Sequence, residues 1–308
     1  MASWHVDQFY YFGGFVWVTG WISREQPICR LIALFPNGDA RPLSGDLAMP
    51  SPDVEAVCGQ AGRNSRFGCH VAVSTSEDAL NLRIMVETNS GTQAELEGFR
   101  SLLLATDVYH ALQAKFYSML SPQAGRVLEL GSRNRSGVLR KGLIPDHLEY
   151  VGVDILQGEN VDLVGDAHEL SRLFPPESFD AVFATSVFEH LMMPWKVVIE
   201  LNHILKQDGL VMLTSHQSWP LHEMPWDYWR FSDQAWYALF NSATGFEIIE
   251  TALGERCSIV PHALHAVTLD LDRQPAFCGS AVLCRKIGST KLEWNVGIRD
   301  LTKTIYPA

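Results

Sequence analysis

Short apolar stretches alternate with helical stretches over residues 126–286, and this alternation restricts the fold more than any other feature of the chain. The apolar stretches are RVLELG (126–131), EYVGVD (149–154), NVDLVG (160–165), DAVFAT (180–185), GLVMLTS (209–215), GFEIIET (245–251) and SAVLCRK (280–286). Strands that alternate with helices imply a mostly parallel sheet that is covered by helices on both faces. We therefore predict a doubly wound α/β domain.

Helix signals flank these strands. A helix is predicted from Asp107, a suitable N-cap, to about Leu120, and Pro122 and Gly125 end it. A second helix is predicted to open at Ser136 and Gly137, after the first strand. A third runs from Pro194 to about Gln207 with Gly209 as its C-terminal cap, and Ser232 caps a fourth that carries Trp236.

The first 90 residues have a different pattern. Stretches rich in Val, Ile and aromatic residues, separated by turn signals and with no helical stretch between them, are FVWVTGWI (15–22), CRLIALF (29–35), FGCHVAV (67–73) and LNLRIMVE (80–87). Short strands at this spacing are typical of a small all-β sandwich or barrel. The predicted organisation is a β-rich accessory domain over 1–90, a linker over 91–106 and the α/β domain over 107–308.

Composition excludes several classes of protein. The net charge is −11, and the nearest thing to a basic patch is Arg133, Arg135, Arg140 and Lys141, so we expect no nucleic-acid partner. No apolar run is long enough for a membrane span. The six cysteines contain no CxxC pair, and the first residues do not form a signal peptide. We expect a cytoplasmic protein with reduced thiols and no metal cluster.

Two strand ends carry the residues suited to binding a ligand. In open α/β sheets, ligands bind beyond the carboxyl ends of the strands, where the strand order reverses. The first strand ends in Glu129-Leu-Gly131, and the second ends in Asp154, which is placed to accept hydrogen bonds from ribose hydroxyls. The loop lacks GxGxxG, so a nucleoside cofactor without a pyrophosphate fits better than a dinucleotide. By themselves, these residues equally suit an ordinary tight turn and an exposed strand-end acid.

The ordered set of segments resembles a known family. VLELGSRNRSG (127–137), YVGVDILQGENVDLVGDAHEL (150–170), FDAVFATSVFEHLMMPW (179–195) and HEMPWDYWRFSD (222–233) resemble class I S-adenosylmethionine-dependent methyltransferases. The match is to their type-11-like branch, which is often linked to bacterial surface glycans. The resemblance covers about residues 107–286 and implies a Rossmann-like fold with S-adenosylmethionine as the cofactor.

The resemblance also assigns roles to residues. It implies that Glu129 and Gly131 lie beside the methionine part of the cofactor and that Asp154 binds the ribose. It implies that Asp166 accepts from the adenine amino group with the backbone of Ala167 beside it, and that the pocket is closed by Thr185 and Ser186. Arg133 and Arg135 stand where many members have glycine, which is a departure from the pattern.

The acceptor side offers candidates for a general base. Methyl transfer to a hydroxyl needs in-line positioning and a proton acceptor, and histidine is the natural base near neutral pH. The candidates are Glu189, His190, His216, His222 and Asp227. We favour His222, in a loop rich in Trp and Tyr, over His216; a histidine at position 190 usually shapes the pocket floor in the resembling families. Aromatic residues pack on sugar rings, and Arg230 is suited to an anionic group of the acceptor.

Three hypotheses follow for the function. The first is methyl transfer to an oxygen of a glycan or glycan precursor. The second is the same chemistry on a small metabolite or a lipid-linked acceptor. The third is a degenerate cofactor-binding scaffold without activity, in which Arg133 and Arg135 have spoiled the pocket. The N-terminal region loosely resembles accessory β-sandwich domains found beside glycan-modifying transferases, which favours the first hypothesis. The oligomeric state is not predicted.

Overall fold

The computed structural model describes residues 3–12, 14–23, 28–88, 93–99, 108–120, 123–262, 265–268, 271 and 274–302. The chain divides into two compact units, 1–105 and 106–308. The helix cap predicted at Asp107, the helix stop predicted at Pro122 and parts of the predicted linker lie outside the described residues. The domain boundaries drawn from the sequence stay a prediction.

The first unit is built from two sheets. Its strands are β1 (Ser3–Phe12), β2 (Phe15–Ser23), β3 (Ile28–Leu34), β4 (Ala40–Pro42), β5 (Ser44–Met49), β6 (Arg66–Ala72), β7 (Arg83–Thr88) and β8 (Gln93–Leu96). They form two four-stranded sheets, in the orders β1-β2-β6-β5 and β4-β3-β7-β8. Side chains from both sheets, such as Val18 and Ile84, share one buried core. The predicted small β-rich region is therefore confirmed.

The described residues of this unit also include two short α-helices, so the prediction of no helix in this part of the chain is wrong. Helix α1 (Pro52–Cys58) has proline in its first turn, and α2 (Ser76–Asn81) is capped by Thr75, whose hydroxyl accepts from the Asp78 amide at 3.0 Å. The first two residues of the strand predicted from Leu80 therefore belong to the end of α2. Helices of one or two turns are too short to show a helical hydrophobic period.

The second unit is organised by one seven-stranded sheet. Its strands are β9 (Gly125–Leu130), β10 (Leu148–Asp154), β11 (Leu163–Val164), β12 (Phe179–Thr185), β13 (Leu205–His216), β14 (Phe246–Cys257) and β15 (Ala276–Lys286). Their order is β11-β10-β9-β12-β13-β15-β14; the first five are parallel, and β15 pairs antiparallel with both of its neighbours. This confirms the predicted Rossmann-like, mostly parallel sheet. The strand order reverses between β9 and β12, so their carboxyl ends form a topological switch point.

Helices cover both faces of this sheet. Successive residues of the central strands point to opposite faces and are buried on both, as Leu128 and Val127 are, which explains their continuous apolar runs. One core is completed by α4 (Leu170–Leu173), α5 (Pro194–Ile204) and α6 (Asp233–Leu239), and the other by α3 (Val108–Met119). Ser232 caps α6 as predicted, because its hydroxyl accepts from the Ala235 amide at 3.2 Å.

The segment after β9 departs from the prediction. No α-helix opens at Ser136 and Gly137; within residues 131–147, which follow β9, the only helical segment is a 3-10 turn, Arg140–Leu143. The side chain of Asn134 accepts from the Gly137 amide at 2.9 Å, but Gly137 has φ +76°, which breaks the helical path at once. Gly142 and Pro145 further disfavour a helix here.

The third predicted helix is also shorter than expected. Helix α5 ends at Ile204 and strand β13 starts at Leu205, so Gln207 and Gly209 belong to the strand rather than to the helix and its cap.

Among the described residues, no helix has both the length and the apolar character needed to cross a bilayer.

Candidate active site

A cavity of about 1030 Å³ opens at the carboxyl ends of β9, β10 and β12. Its wall contains most of the residues predicted from the sequence: Gly131, Asp154, Asp166, Ala167, Thr185, Ser186, His190 and His222. Glu129 and Asp227 are buried beside this wall, next to lining residues 130 and 228. Ligand pockets commonly measure roughly 300–1,000 Å³, so this cavity has room for two ligands together.

Gly131 makes the sharp turn at the end of β9. It has φ +70°, and its amide donates to the carbonyl oxygen of Val153 at 2.8 Å. A Cβ atom at this position would lie 2.3 Å from Cγ2 of Val187. Both the backbone conformation and the close packing therefore require glycine.

The carboxylate of Asp154 lies at the end of β10, where it holds the neighbouring loop. Its oxygens accept from the amides of Leu156 at 3.0 Å and Arg133 at 3.3 Å. The Arg133 Nε atom lies 3.8 Å from the same carboxylate, so this arginine balances the charge of Asp154. Asp154 is thus a fixed and largely buried acceptor at the cavity wall.

The carboxylate of Asp166 is fixed in a similar way. Its Oδ1 accepts from the backbone amide of His168 at 2.9 Å and lies 2.7 Å from Nδ1 of the same histidine. Burial tends to raise the pKa of Asp166, but the contacts with His168 outweigh it and the pKa is lowered. Both His168 contacts involve Oδ1, so a ligand would meet Oδ2.

Glu129 lies just behind the cavity wall, where neighbouring side chains hold its carboxylate. Its carboxylate accepts from the Tyr150 hydroxyl, lies 3.4 Å from the Asn160 side-chain nitrogen, and has Arg140 Nη1 at 3.9 Å. Burial raises the pKa of Glu129. The geometry shows a buried polar network under the loop after β9, and a role beside the cofactor stays a prediction.

Sequence reasoning missed several residues of the cavity. Arg140 lines it, and Arg135 donates to Glu223 at 2.5 Å, which joins the loop after β9 to the loop before α6. Ile298, Arg299 and Thr302, in and just after the short helix α7 (Ile298–Leu301), also line it. They come from the far end of the chain, and nothing in their local sequence signals this position.

Histidines gather at the other end of the cavity around a buried carboxylate. Glu189 accepts from the Ser215 hydroxyl at 2.6 Å, and its Oε1 lies 3.2 Å from His216 Nε2 and 3.9 Å from His190 Nε2. The ring of His222 lies 4.9 Å from that of His190 and 5.1 Å from that of His216, centre to centre. Burial raises the pKa of Glu189 to about 7 and lowers that of His216 to about 4. Burial also lowers the pKa of His190.

Asp227 orders the loop that carries His222. Its buried carboxylate accepts from Arg230 at 2.5 and 2.8 Å and from the His222 amide at 2.9 Å, and it lies 3.3 Å from His222 Nδ1. The Arg230 guanidinium holds the pKa of Asp227 well below its usual range. A carboxylate this acidic is a poor proton acceptor near neutral pH, which disfavours Asp227 as the base.

Two aromatic residues of this loop contact other parts of the protein. His216 stacks on Trp219 at 4.7 Å, and the Trp229 indole donates to the Leu191 carbonyl oxygen at 2.8 Å. Arg230, expected to meet an anionic acceptor group, instead bonds Asp227 and the carbonyl oxygens of Trp219, Pro220 and Trp229. Trp219 still leaves 45% of its surface exposed beside the cluster.

Part of the chain that lines this cavity matches a known protein family. Residues 136–213 match the family model Methyltransf_11, a methyltransferase domain. The matched segment contains Asp154, Asp166, Thr185, Ser186 and His190, and it excludes Gly131. The match supports an S-adenosylmethionine-dependent methyltransferase and S-adenosylmethionine as its cofactor. No curated protein sequence matches the chain.

Solved structures have related folds at low similarity. An S-adenosylmethionine-dependent methyltransferase from Archaeoglobus fulgidus is 17% identical, with a TM-score of 0.42 over 58% of this chain and 93% of that one. The YcgJ protein of Bacillus subtilis is 22% identical, with a TM-score of 0.42 over 59% and 99%. A methyltransferase from Methanosarcina mazei is 15% identical, with a TM-score of 0.38 over 56% and 97%.

The glycine at the end of β9 provides a first test of the cofactor site. Gly131→Ala is expected to weaken S-adenosylmethionine binding about tenfold, because a left-handed non-glycine residue costs roughly 1–2 kcal/mol and the added Cβ displaces Val187. Titration calorimetry measures the affinity. Gly142→Ala is the matched control, since a Cβ there meets nothing within 4 Å. Equal affinities of the two variants would show that the turn at Gly131 does not shape the site.

Proposed function

We propose that this chain transfers the methyl group of S-adenosylmethionine to an oxygen atom, and that the acceptor is a sugar of a glycan or glycan precursor. The observation that best supports this proposal is the composition of the cavity wall. It contains both the carboxylates at the ends of β10 and β11 and the histidine cluster after β12 and β13. The proposed cofactor site and the proposed proton-accepting site would thus share one cavity of sufficient size.

The cofactor end of the cavity fits a nucleoside with a sulfonium side chain. Asp154 would accept from the ribose hydroxyls, and Asp166, with Ala167 beside it, would meet the adenine. Thr185 and Ser186 would close the pocket, and Gly131 lets the chain approach the ligand closely. The sulfonium supplies an activated methyl group, so the protein has to position the two partners and accept a proton.

His222 is the proposed base. In the reaction, an acceptor oxygen forms a bond to the methyl carbon while the carbon–sulfur bond breaks, and its electron pair stays on sulfur in S-adenosylhomocysteine. The hydroxyl proton passes to an imidazole nitrogen. Asp227 lies 3.3 Å from Nδ1 of His222 and can hold the ring in one orientation, as a carboxylate does beside a catalytic histidine. His190, with Nδ1 2.8 Å from the Trp226 carbonyl oxygen, shapes the floor.

A sugar is favoured as acceptor by the aromatic and polar character of this end of the cavity. Trp226 and Tyr228 line it, and Trp219 is partly exposed beside it. Aromatic faces pack against the apolar faces of sugar rings, while histidines and carbonyl groups bond hydroxyls. A small metabolite and a lipid-linked molecule are the competing acceptors.

Titration calorimetry with S-adenosylmethionine and S-adenosylhomocysteine tests the proposal. We expect one site per chain with micromolar affinity for both. An acceptor screen then follows S-adenosylhomocysteine formation with sugars, nucleotide sugars, small metabolites and lipid-linked compounds. Turnover only on a non-sugar acceptor would overturn the sugar assignment. Absence of binding by a folded protein would overturn the enzyme and favour a scaffold.

A further inference from the structure

We infer that Glu189, His216 and His222 form a binding site for a divalent transition-metal ion, and that Zn²⁺ is the ion they fit best. The three residues come from the turn after β12, the end of β13 and the loop before α6. The sequence predicted no metal, because these residues do not form a recognisable ligand motif. Binding at this site requires neither cofactor nor acceptor, so the inference goes beyond the proposed function.

The spacing of the ligand atoms suits a metal. One ligand atom from each of the three residues lies within 4.8 Å of the other two. Glu189 Oε1 and His216 Nε2 are 3.2 Å apart. In a tetrahedral zinc site with bonds of about 2.0–2.1 Å, ligand atoms lie roughly 3.3 Å from each other. This pair is therefore already at zinc spacing, and His222 has to move in by no more than about 1.5 Å.

The state of Glu189 points to a missing partner. Its side chain is 0% exposed, and Oε1 accepts no hydrogen bond from the described residues, whereas Oε2 accepts from Ser215. Leaving a buried acceptor without a donor costs roughly 1–3 kcal/mol, and more for a charged group. A metal ion between Oε1 and the imidazole nitrogens would satisfy this oxygen.

The surroundings of the histidines match those of metal ligands. Metal-binding histidines usually donate their second ring N–H to a carboxylate or a carbonyl oxygen, which fixes the ring. His222 Nδ1 lies 3.3 Å from Asp227 Oδ2 and 3.3 Å from the Pro220 carbonyl oxygen, the two kinds of partner that such a histidine uses. The His216 ring is held by stacking on Trp219 at 4.7 Å.

A second set, His190 with His222 and Asp227, has similar spacing but fits less well. Both oxygens of Asp227 already accept from Arg230, at 2.5 and 2.8 Å, and Oδ2 also accepts from the His222 amide. Asp227 is therefore a supporting carboxylate rather than a ligand. His190, with Nε2 3.9 Å from Glu189 Oε1, lies close enough to approach the same ion.

The location gives the ion a use. His216 and His222 line the cavity, so an ion with three protein ligands would have its open position toward the acceptor end. Catalytic zinc sites have this arrangement, and a bound metal lowers the pKa of a coordinated hydroxyl. This use rests on the proposed function: the acceptor hydroxyl would bind the ion, its proton would pass to solvent water, and His222 would act as a ligand instead of as a free base.

Direct metal binding by the full chain tests the inference. The protein, with any affinity tag removed, is stripped with a chelator and titrated with Zn²⁺ by calorimetry and with Co²⁺ by visible absorption. We expect one ion per chain and the intense absorption of tetrahedral cobalt. His222→Ala and Glu189→Gln are each expected to weaken binding at least about 100-fold, beyond the roughly 10–100-fold typical of supporting residues.

Two controls make the test decisive. His203→Ala removes an exposed histidine of α5 and should bind the metal as the unaltered protein does. Glu189→Gln keeps the size of the side chain, and His222 lies in a surface loop, so circular dichroism should show both variants folded. No binding, or equal binding by the three variants, would overturn the inference. Titration of the same samples with S-adenosylmethionine separates the two proposals. Binding of the cofactor without binding of the metal would overturn only the metal site. Binding of the metal without binding of the cofactor would overturn only the proposed function.

Discussion

Asp154→Ala is expected to weaken S-adenosylmethionine binding at least about 100-fold while the protein stays folded. A ribose diol that donates two hydrogen bonds to a carboxylate gains roughly 1.5–3 kcal/mol from each bond. Loss of both bonds amounts to about 3–6 kcal/mol, or roughly two to four powers of ten in the dissociation constant. The sheet should survive, because Asp154 is the last residue of β10 and its backbone pairing with β11 does not use the side chain.

The control for this variant is Asp154→Asn. The Asp154 carboxylate also accepts from the amides of Leu156 and Arg133, so alanine loosens the loop as well as removing the ribose partner. Asparagine keeps the size and one oxygen acceptor but removes the charge. We expect its affinity to lie between those of alanine and the unaltered protein. Calorimetric dissociation constants within twofold of each other for all three proteins would show that Asp154 does not bind the ribose.

His222→Ala is expected to lower kcat about 100-fold and to leave the dissociation constant of S-adenosylmethionine within about twofold. A positioned general base contributes roughly 10²–10⁴-fold to a rate. The effect on the cofactor should be small, because His222 belongs to the loop before α6, whereas the proposed ribose and adenine partners follow β10 and β11. Formation of S-adenosylhomocysteine under single turnover measures the chemical step separately from product release.

Asp227→Asn distinguishes a positioned His222 from an ordinary loop histidine. It weakens the ion pair with Arg230 and replaces the carboxylate beside Nδ1, so kcat should fall while KM for the acceptor changes little. His203→Ala, on the exposed face of α5, should react normally. Unimpaired turnover by His222→Ala would remove this residue from the mechanism, whether as base or as metal ligand.

The sheet of the second unit could be predicted because the residues of each strand themselves carry the signal for it. Each central strand is buried on both faces and reads as an apolar run, and Ser232 marks a helix start by its own chemistry. The helix predicted after β9 fails for a reason that the sequence contained, since Gly137, Gly142 and Pro145 all oppose it. The two short helices of the first unit were missed because they are too short for a periodic signal.

The residues of the cavity also fall into those that the sequence could place and those that it could not. Gly131, Asp154 and Asp166 could be placed together from the sequence, because carboxyl ends of parallel strands meet at one edge. The grouping of Glu189 with His216 and His222, and the approach of Ile298 and Arg299, depend on the paths of long connections. Periodicity and capping rules do not determine such paths, so these contacts had no local signal.

The loop after β9 has a consequence for how this region can change in evolution. It is held by side-chain contacts, with Asn134 donating to Glu159 at 2.7 Å and Arg135 to Glu223 at 2.5 Å, rather than by the hydrogen-bond ladder of a helix. The residues of a helix depend on one another through shared backbone hydrogen bonds, whereas separate side-chain contacts can be exchanged one at a time. Substitutions in this loop can therefore accumulate one at a time without disturbing the sheet.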